Sequence, residues 1–331
     1  MRYIIQIGTL YDNYHEMNFG YVGIDLNTGE KHYYSNYDSK GNWSFRSITE
    51  FDMDNKEKLN RFLRSNLYHC YYNKDGSEKI SEEVKSLAYK MIDKHLIYNK
   101  QNGYPIDDLE KNLNNLSFKY VSNISLFGDL GFSGRYIPVK NTIEMPITNI
   151  DWQRYGEDEI EETEDILLHE TGHLKVSNYS LDIKNKELKV RTGFYTSIVK
   201  VEPVMLSNGD IFLKFEGTLD LYKRNEDRIL EEVMNDFDCK EINPNFVPTY
   251  PNVGYILNDL CDGRLQKARY YDDGIEELYD SLNKLIKGRD LVNELLLSIV
   301  ETNRSFEDNY DENEAHIMKL LKKYQQVRNR R

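Results

Sequence analysis

Residues 158–176 of the chain read DEIEETEDILLHETGHLKV. Acidic residues crowd the first two turns of this stretch, where the positive end of a helix dipole favours negative charge. Further along, Leu167, Thr171 and Leu174 share one side of a helix, whereas Ile166 and two histidines lie on the opposite side. Both sides are largely free of charge, so we predict a helix packed between other elements of the fold.

Two histidines and a glutamate inside this predicted helix form the pattern HExxH. His169 and His173 are four residues apart, so on a helix their imidazoles project from one side and can share a metal ion. Glu170 lies at a neighbouring angle, where its carboxylate can take a proton from water and pass it to a leaving amine. A chain with 7 histidines matches this pattern by chance only roughly once in a hundred cases. We therefore predict His169 and His173 as zinc ligands and Glu170 as the catalytic base.

The motif resembles that of the gluzincin metallopeptidases, in which a glutamate on a second, downstream helix is the third zinc ligand. In that family an acidic residue four positions after this glutamate supports a ligating histidine, as carboxylates commonly do in zinc sites. The chain has a corresponding segment: residues 231–236 read EEVMND, inside a helix predicted over residues 226–240.

Two registers of this second motif compete. Glu232 with Asp236 is one pairing, and Glu231 with Asn235 is the other. Both glutamates are about equally far from the centre of the apolar stripe of the predicted helix, but Asp236 lies beside the stripe and Asn235 points away from it. We predict Glu232 as the third ligand, with Asp236 beside a ligating histidine, and keep Glu231 as the alternative.

The resemblance implies an α+β, zincin-like fold: a mixed sheet with an edge strand, the HExxH helix and a helical C-terminal subdomain. The family binds extended peptides by strand addition at such an edge, and residues 136–146, with two prolines that suit an edge, are the predicted strand. The family also supplies a side chain that stabilises the oxyanion, and Tyr222 is the position predicted here, with Tyr195 as a second candidate. One zinc ion per chain is the cofactor implied.

The chain is predicted to divide at a soft boundary near residue 103. Residues 1–102 form a small module of unknown role, a β-hairpin followed by two helices, and residues 103–331 form the zincin-like domain. The clearest hairpin signal is the Asn-Gly pair at 208–209. The predicted strands are 3–7, 21–26 with 31–34, 118–127, 135–147, 181–183 with 188–190, and 203–206 with 211–215. The predicted helices are 54–69, 81–98, 105–116, 158–176, 226–240, 253–260, 275–286, 289–302 and 312–327.

Composition narrows the possible partners. The formal net charge is −13 and acidic residues occur throughout, so neither nucleic acid nor a membrane surface is an expected partner. No run approaches the roughly 18 apolar residues of a membrane span, and no signal peptide is evident. Three well-separated cysteines argue against a disulfide framework and favour a reducing compartment. We expect a cytoplasmic protein, of bacterial character in its composition, whose partner is a peptide or protein substrate.

The leading functional hypothesis is zinc-dependent hydrolysis of a peptide bond, with an endopeptidase favoured by the family resemblance. One alternative is a phage-associated or toxin-antitoxin regulatory protein that keeps a zincin fold for recognising a partner. A second alternative is a metal-free helical interaction protein with a coincidental motif. A purely structural zinc site has no use for a base at position 170, which favours the enzyme.

Overall fold

The structure of the protein is a computed structural model. The described residues are 2–12, 17–37, 43–47, 82–113, 116–121, 134–138, 141–146, 157–206, 209–215, 226–248, 250–271, 274–287, 289–304 and 310–331. The predicted helix over residues 54–69 lies outside these ranges. The architecture is α+β with a mixed sheet, in agreement with the predicted class.

An eight-stranded sheet combines the first four strands of the chain with four strands that follow the HETGH helix. Its strands are β1 (Tyr3–Asp12), β2 (Met17–Asp25), β3 (Lys31–Tyr37), β4 (Trp43–Ser47), β8 (Ser177–Asp182), β9 (Glu187–Thr192), β10 (Tyr195–Met205) and β11 (Ile211–Phe215). The strand order is β4-β3-β2-β1-β11-β10-β9-β8, and all the predicted hairpins are confirmed within it. Strand β1 pairs in parallel with β11, so the N-terminal strands continue the same sheet as the hairpins that follow the HETGH helix.

A second, three-stranded sheet replaces the single strand predicted over residues 135–147. It consists of β5 (Ser117–Val121), β6 (Arg135–Ile137) and β7 (Thr142–Pro146) in the order β5-β7-β6. The prediction of one continuous edge strand was wrong, because the chain reverses at Asn141, whose φ of 46° lies in the left-handed region that asparagine tolerates. Within this sheet β5 and β6 are the edge strands and β7 is central.

The helices agree with the predicted pattern to within a few residues at most ends. They are α1 (Glu82–Asn102), α2 (Asp107–Leu113), α3 (Glu157–Gly172), α4 (Glu226–Ile242), α5 (Gly254–Leu260), α6 (Arg264–Ala268), α7 (Gly274–Leu285), α8 (Arg289–Arg304) and α9 (Tyr310–Asn329). The short helix α6 was not predicted. A 3-10 turn, His173–Val176, follows α3 directly, so the α-helix that holds the HExxH motif ends one residue before its second histidine.

The chain forms two compact units whose segments alternate along the sequence. The first comprises Met1–Ile92, Asp107–Val190 and Ser197–Leu219, and the second comprises Asp93–Ile106, Arg191–Thr196 and Asp220–Arg331. The prediction instead places one boundary near residue 103.

Each unit has an apolar core of its own. In the first unit Ile4 of β1 packs with Leu206, the residue after β10, and with Phe212 of β11. In the second unit apolar side chains of α4, α5, α7, α8 and α9 form a larger cluster. Among the helices that the structure describes, none combines the length and apolar character that a membrane-crossing segment requires.

Candidate metal centre

Burial changes sharply along α3. Ile166 is still partly exposed, whereas every residue from 167 to 177 is buried. Within this buried environment the hydroxyl of Thr171 donates a hydrogen bond of 2.6 Å to the backbone carbonyl of Leu167, one helical turn earlier. The predicted packing of this helix between other elements is confirmed for its second half.

The two motif histidines face each other across this buried surface. The exposed fractions of His169 and His173 are 7% and 6%. Their Nε2 atoms are 3.3 Å apart, and the ring planes meet at 81° with centroids 5.0 Å apart. Although His173 belongs to the 3-10 turn, its imidazole still converges with that of His169.

This spacing fits two ligands of one zinc ion. Zinc binds imidazole nitrogen at about 2.0–2.1 Å with tetrahedral angles, which places two such nitrogens about 3.3 Å apart. The observed separation of 3.3 Å matches that value. The same separation also permits a hydrogen bond when one ring is a donor and the other an acceptor.

Glu232 of α4 completes the set of metal-binding atoms. The ligand atoms of His169, His173 and Glu232 all lie within 4.8 Å of one another, and all three residues are buried. Two imidazoles and one carboxylate are a donor set found in catalytic zinc sites. The described part of the chain therefore contains a buried group that is able to bind a metal ion.

Glu231, the alternative ligand, has a different partner. The guanidinium of Arg269, itself 0% exposed, donates to both carboxylate oxygens of Glu231, with 3.1 Å from Nε to Oε2. The same arginine contacts Asp238 at 2.5 Å. Burial by itself would lower the pKa of Arg269, but the carboxylates of Glu231 and Asp238 raise it above its usual value. The carboxylate of Glu231 is thus neutralised by a buried ion pair with Arg269.

Helix α4 is buried on more sides than its apolar stripe predicts. Asn235, which was predicted to point away from the buried side, is 0% exposed and lies 3.4 Å from an Arg269 nitrogen. That part of the prediction was wrong. The buried Arg269 supplies a hydrogen-bond donor for this face of α4, whose polar side chains would otherwise need contact with water. Asp236 is also buried, and its Oδ2 accepts a hydrogen bond from the backbone N–H of Tyr250 at 2.8 Å.

The predicted base, Glu170, lies beside the start of β6. Its side chain is 7% exposed. Gly134, the residue before β6, is so close to α3 that a Cβ at this position would lie 3.3 Å from Cγ of Glu170 and 2.7 Å from Cγ2 of Ile166. Only glycine fits without displacing these side chains. No local pattern identified Gly134, since a lone glycine is compatible with many structures.

The remaining candidates are less closely defined. Tyr222 lies outside the described residues. Tyr195 is the first residue of β10 and is partly exposed, and its role stays a prediction. Cys239 of α4 is fully buried, which is the commonest environment of a cysteine that behaves as a small apolar residue.

Comparison with known proteins identifies no relative: no family model, curated protein or solved structure matches this chain. The donor set and its geometry are therefore the observations that bear on function.

Proposed function

We propose that this protein is a zinc-dependent peptidase that binds one zinc ion per chain through His169, His173 and Glu232. The observation that carries this proposal is the convergence of these three buried side chains within 4.8 Å. Three protein ligands are typical of catalytic zinc sites, whereas structural sites usually have four. When bound there, zinc lowers the pKa of water to about 7 and polarises a carbonyl group.

Glu170 moves the proton in this proposal. It follows His169 directly in the sequence, so its carboxylate is held on the same helical turn as a ligand. Its burial reduces competition from bulk water for the proton it accepts. Glu170 takes a proton from the attacking water and then donates it to the nitrogen that leaves as the peptide bond breaks.

The substrate class in this proposal is an extended peptide, cleaved internally. Strand β6 is one edge of its three-stranded sheet, and a Cβ on the residue that precedes it would lie 3.3 Å from Cγ of Glu170. A peptide that adds to this edge by backbone hydrogen bonds passes close to the base. Asp236 as the support of a ligating histidine, and Tyr222 or Tyr195 as the oxyanion donor, belong to the same proposal.

Replacing the base while keeping the ligands tests this function. We expect the purified, zinc-loaded protein to cleave members of a peptide library, and Glu170→Gln to lower the rate about 10²–10⁴-fold while zinc content stays near one per chain. A matched His169→Ala variant loses the metal as well as the activity. Rate is measured by mass spectrometry of the products and zinc by elemental analysis.

Two results contradict the proposal. If the wild-type protein takes up no zinc at micromolar concentration, the site is not a zinc site. If zinc binds through the three residues but no peptide is cut, the regulatory alternative, in which the site serves recognition of a partner, replaces the peptidase.

A further inference from the structure

The second ligand, His173, begins the 3-10 turn His173–Val176 rather than lying inside α3. Backbone carbonyls at the end of a helix lack partners within that helix, and buried carbonyls without partners are costly. This end is buried throughout: the exposed fractions of Leu174 and Val176 are 0% and 1%. The position of His173 therefore depends on what satisfies the carbonyls around it.

Asn112, in the last turn of α2, supplies these partners. Its Nδ2 donates to the carbonyl of Leu174 and to that of Ser177, both at 2.8 Å. The hydroxyl of Ser177 in turn donates to the carbonyl of His173 at 2.8 Å. Two polar side chains thus hold two carbonyls of the turn, those of His173 and Leu174, and the carbonyl of Ser177, the first residue of β8.

Asn112 is itself fixed by buried partners. Its carbonyl accepts a hydrogen bond from Nδ2 of Asn141 at 2.7 Å, and Oδ1 of Asn141 accepts one from the hydroxyl of Tyr136 at 3.0 Å. Burial raises the pKa of Tyr136 well above its usual value, so the phenol stays a donor. Asn112, Asn141 and Tyr136 are 3%, 2% and 8% exposed, which protects all of these bonds from water.

We propose that Asn112 is a positioning residue of the metal centre, which sets the orientation of His173 by holding the 3-10 turn. This inference rests on the proposed zinc site. An amide is required at this position, because only an N–H₂ group can donate to two carbonyls at once while the side chain stays uncharged. Alanine removes both donors, and the turn is then free to move relative to α3.

The test compares Asn112→Ala with a matched control, Asn99→Ala. Asn99 is also buried, at 0% exposure, donates from Nδ2 to the carbonyl of Pro105 at 2.9 Å and accepts from the hydroxyl of Tyr270 at 2.8 Å. Zinc affinity is measured on the full chain by competition with a chromophoric chelator. The visible absorption spectrum of the cobalt-loaded protein reports ligand geometry, and the Tm of the metal-free protein reports stability.

We expect Asn112→Ala to weaken zinc binding about 10–100-fold, the range typical of residues that orient zinc ligands, and to change the cobalt spectrum. Asn99→Ala lowers the Tm of the metal-free protein but leaves zinc affinity within about twofold and the cobalt spectrum unaltered. An Asn112→Ala protein with wild-type zinc affinity overturns the inference. Equal losses of affinity in the two variants overturn it as well.

Ser177→Ala keeps the inference testable if Asn112→Ala does not fold. This change removes one hydroxyl and the bond to the His173 carbonyl, and we expect a loss of zinc affinity of roughly two- to tenfold. Unchanged affinity and an unchanged cobalt spectrum count against the inference. Wild-type protein that binds zinc but cuts no peptide removes the peptidase proposal alone, whereas zinc-binding wild type with unaffected variants removes the positioning role alone.

Discussion

At the scale of single residues, two adjacent glutamates of one helix have different neighbours. Glu231 pairs with Arg269, and both are almost fully buried, at 2% and 0% exposure. Glu232, at 8% exposure, belongs to the group with the two histidines. A buried charge is tolerated only when it is paired or bound to a metal. Glu231 has Arg269 as its partner, and Nε of Arg228, one helical turn earlier, lies 3.7 Å from Glu232.

Exchanging each glutamate for glutamine tests whether the two residues also differ in role. We expect Glu231→Gln to lower the free energy of unfolding of the metal-free protein by about 3–5 kcal/mol, because it leaves the buried Arg269 poorly compensated. We expect Glu232→Gln to weaken zinc binding by more than the roughly 10–100-fold typical of residues that only orient ligands, since it removes the proposed third ligand. Urea denaturation measures the first effect and zinc titration the second. If the two variants exchange effects, Glu231 is the ligand.

At the scale of elements, the turn between β9 and β10 fits against α4. Gly193 in this turn has a φ of +55°, and a Cβ there would overlap the Glu231 carboxylate. Arg191 binds the carbonyl of Gly193 at 2.9 Å and that of Tyr270 at 3.1 Å. The hairpin thus supports the carboxylate that neutralises Arg269.

Gly193→Ala tests this fit, with Gly103→Ala as its control. Gly103 also has a positive φ, of +69°, but among the described residues, apart from its neighbours in the chain, no atom would lie within 4 Å of a Cβ at this position. We expect the control to lose about 1–2 kcal/mol of stability from backbone strain, and Gly193→Ala to lose about 1–3 kcal/mol more from overlap with a fixed side chain. Thermal denaturation measures both, and equal losses contradict the close fit.

At the scale of the whole molecule, the sheet depends on strands that are distant in sequence. Strand β1 lies between β2 and β11, and its residue Tyr3 pairs with Ile211. Ile4, which is 0% exposed, packs with Leu206 and Phe212. The N-terminal strands therefore complete the sheet and its core, although the sequence suggests a separate module.

A fragment of residues 103–331 tests this dependence. We expect it to be insoluble or to unfold without cooperativity, because removal of β1 exposes the edge of β11 and the apolar side chains beneath it. The full chain, purified in parallel, serves as the control. Circular dichroism during heating is the measurement, and a fragment with a cooperative transition at the Tm of the full chain contradicts the expectation.

The sequence by itself determined the features that depend on local spacing. These features are the interval between His169 and His173, the hairpin marked by Gly209 and the helical periodicity of α4. Each depends on residues that are close together in the sequence, and a short segment has few conformations. The choice of Glu232 over Glu231 was an inference of the same kind, and it stays a prediction that zinc titration of the two glutamine variants tests.

Only the tertiary structure decided the long-range pairings. Arg269, Asn112 and Gly193 carry no motif, and their roles depend on which carboxylate or carbonyl lies opposite after folding. The parallel pairing of β1 with β11 likewise joins strands about 200 residues apart. Local sequence does not select this pairing, because any strand with a suitable apolar face can in principle occupy that edge. Local sequence restricts conformation, whereas the partner of a buried charge or strand edge is selected by the packing of the whole chain.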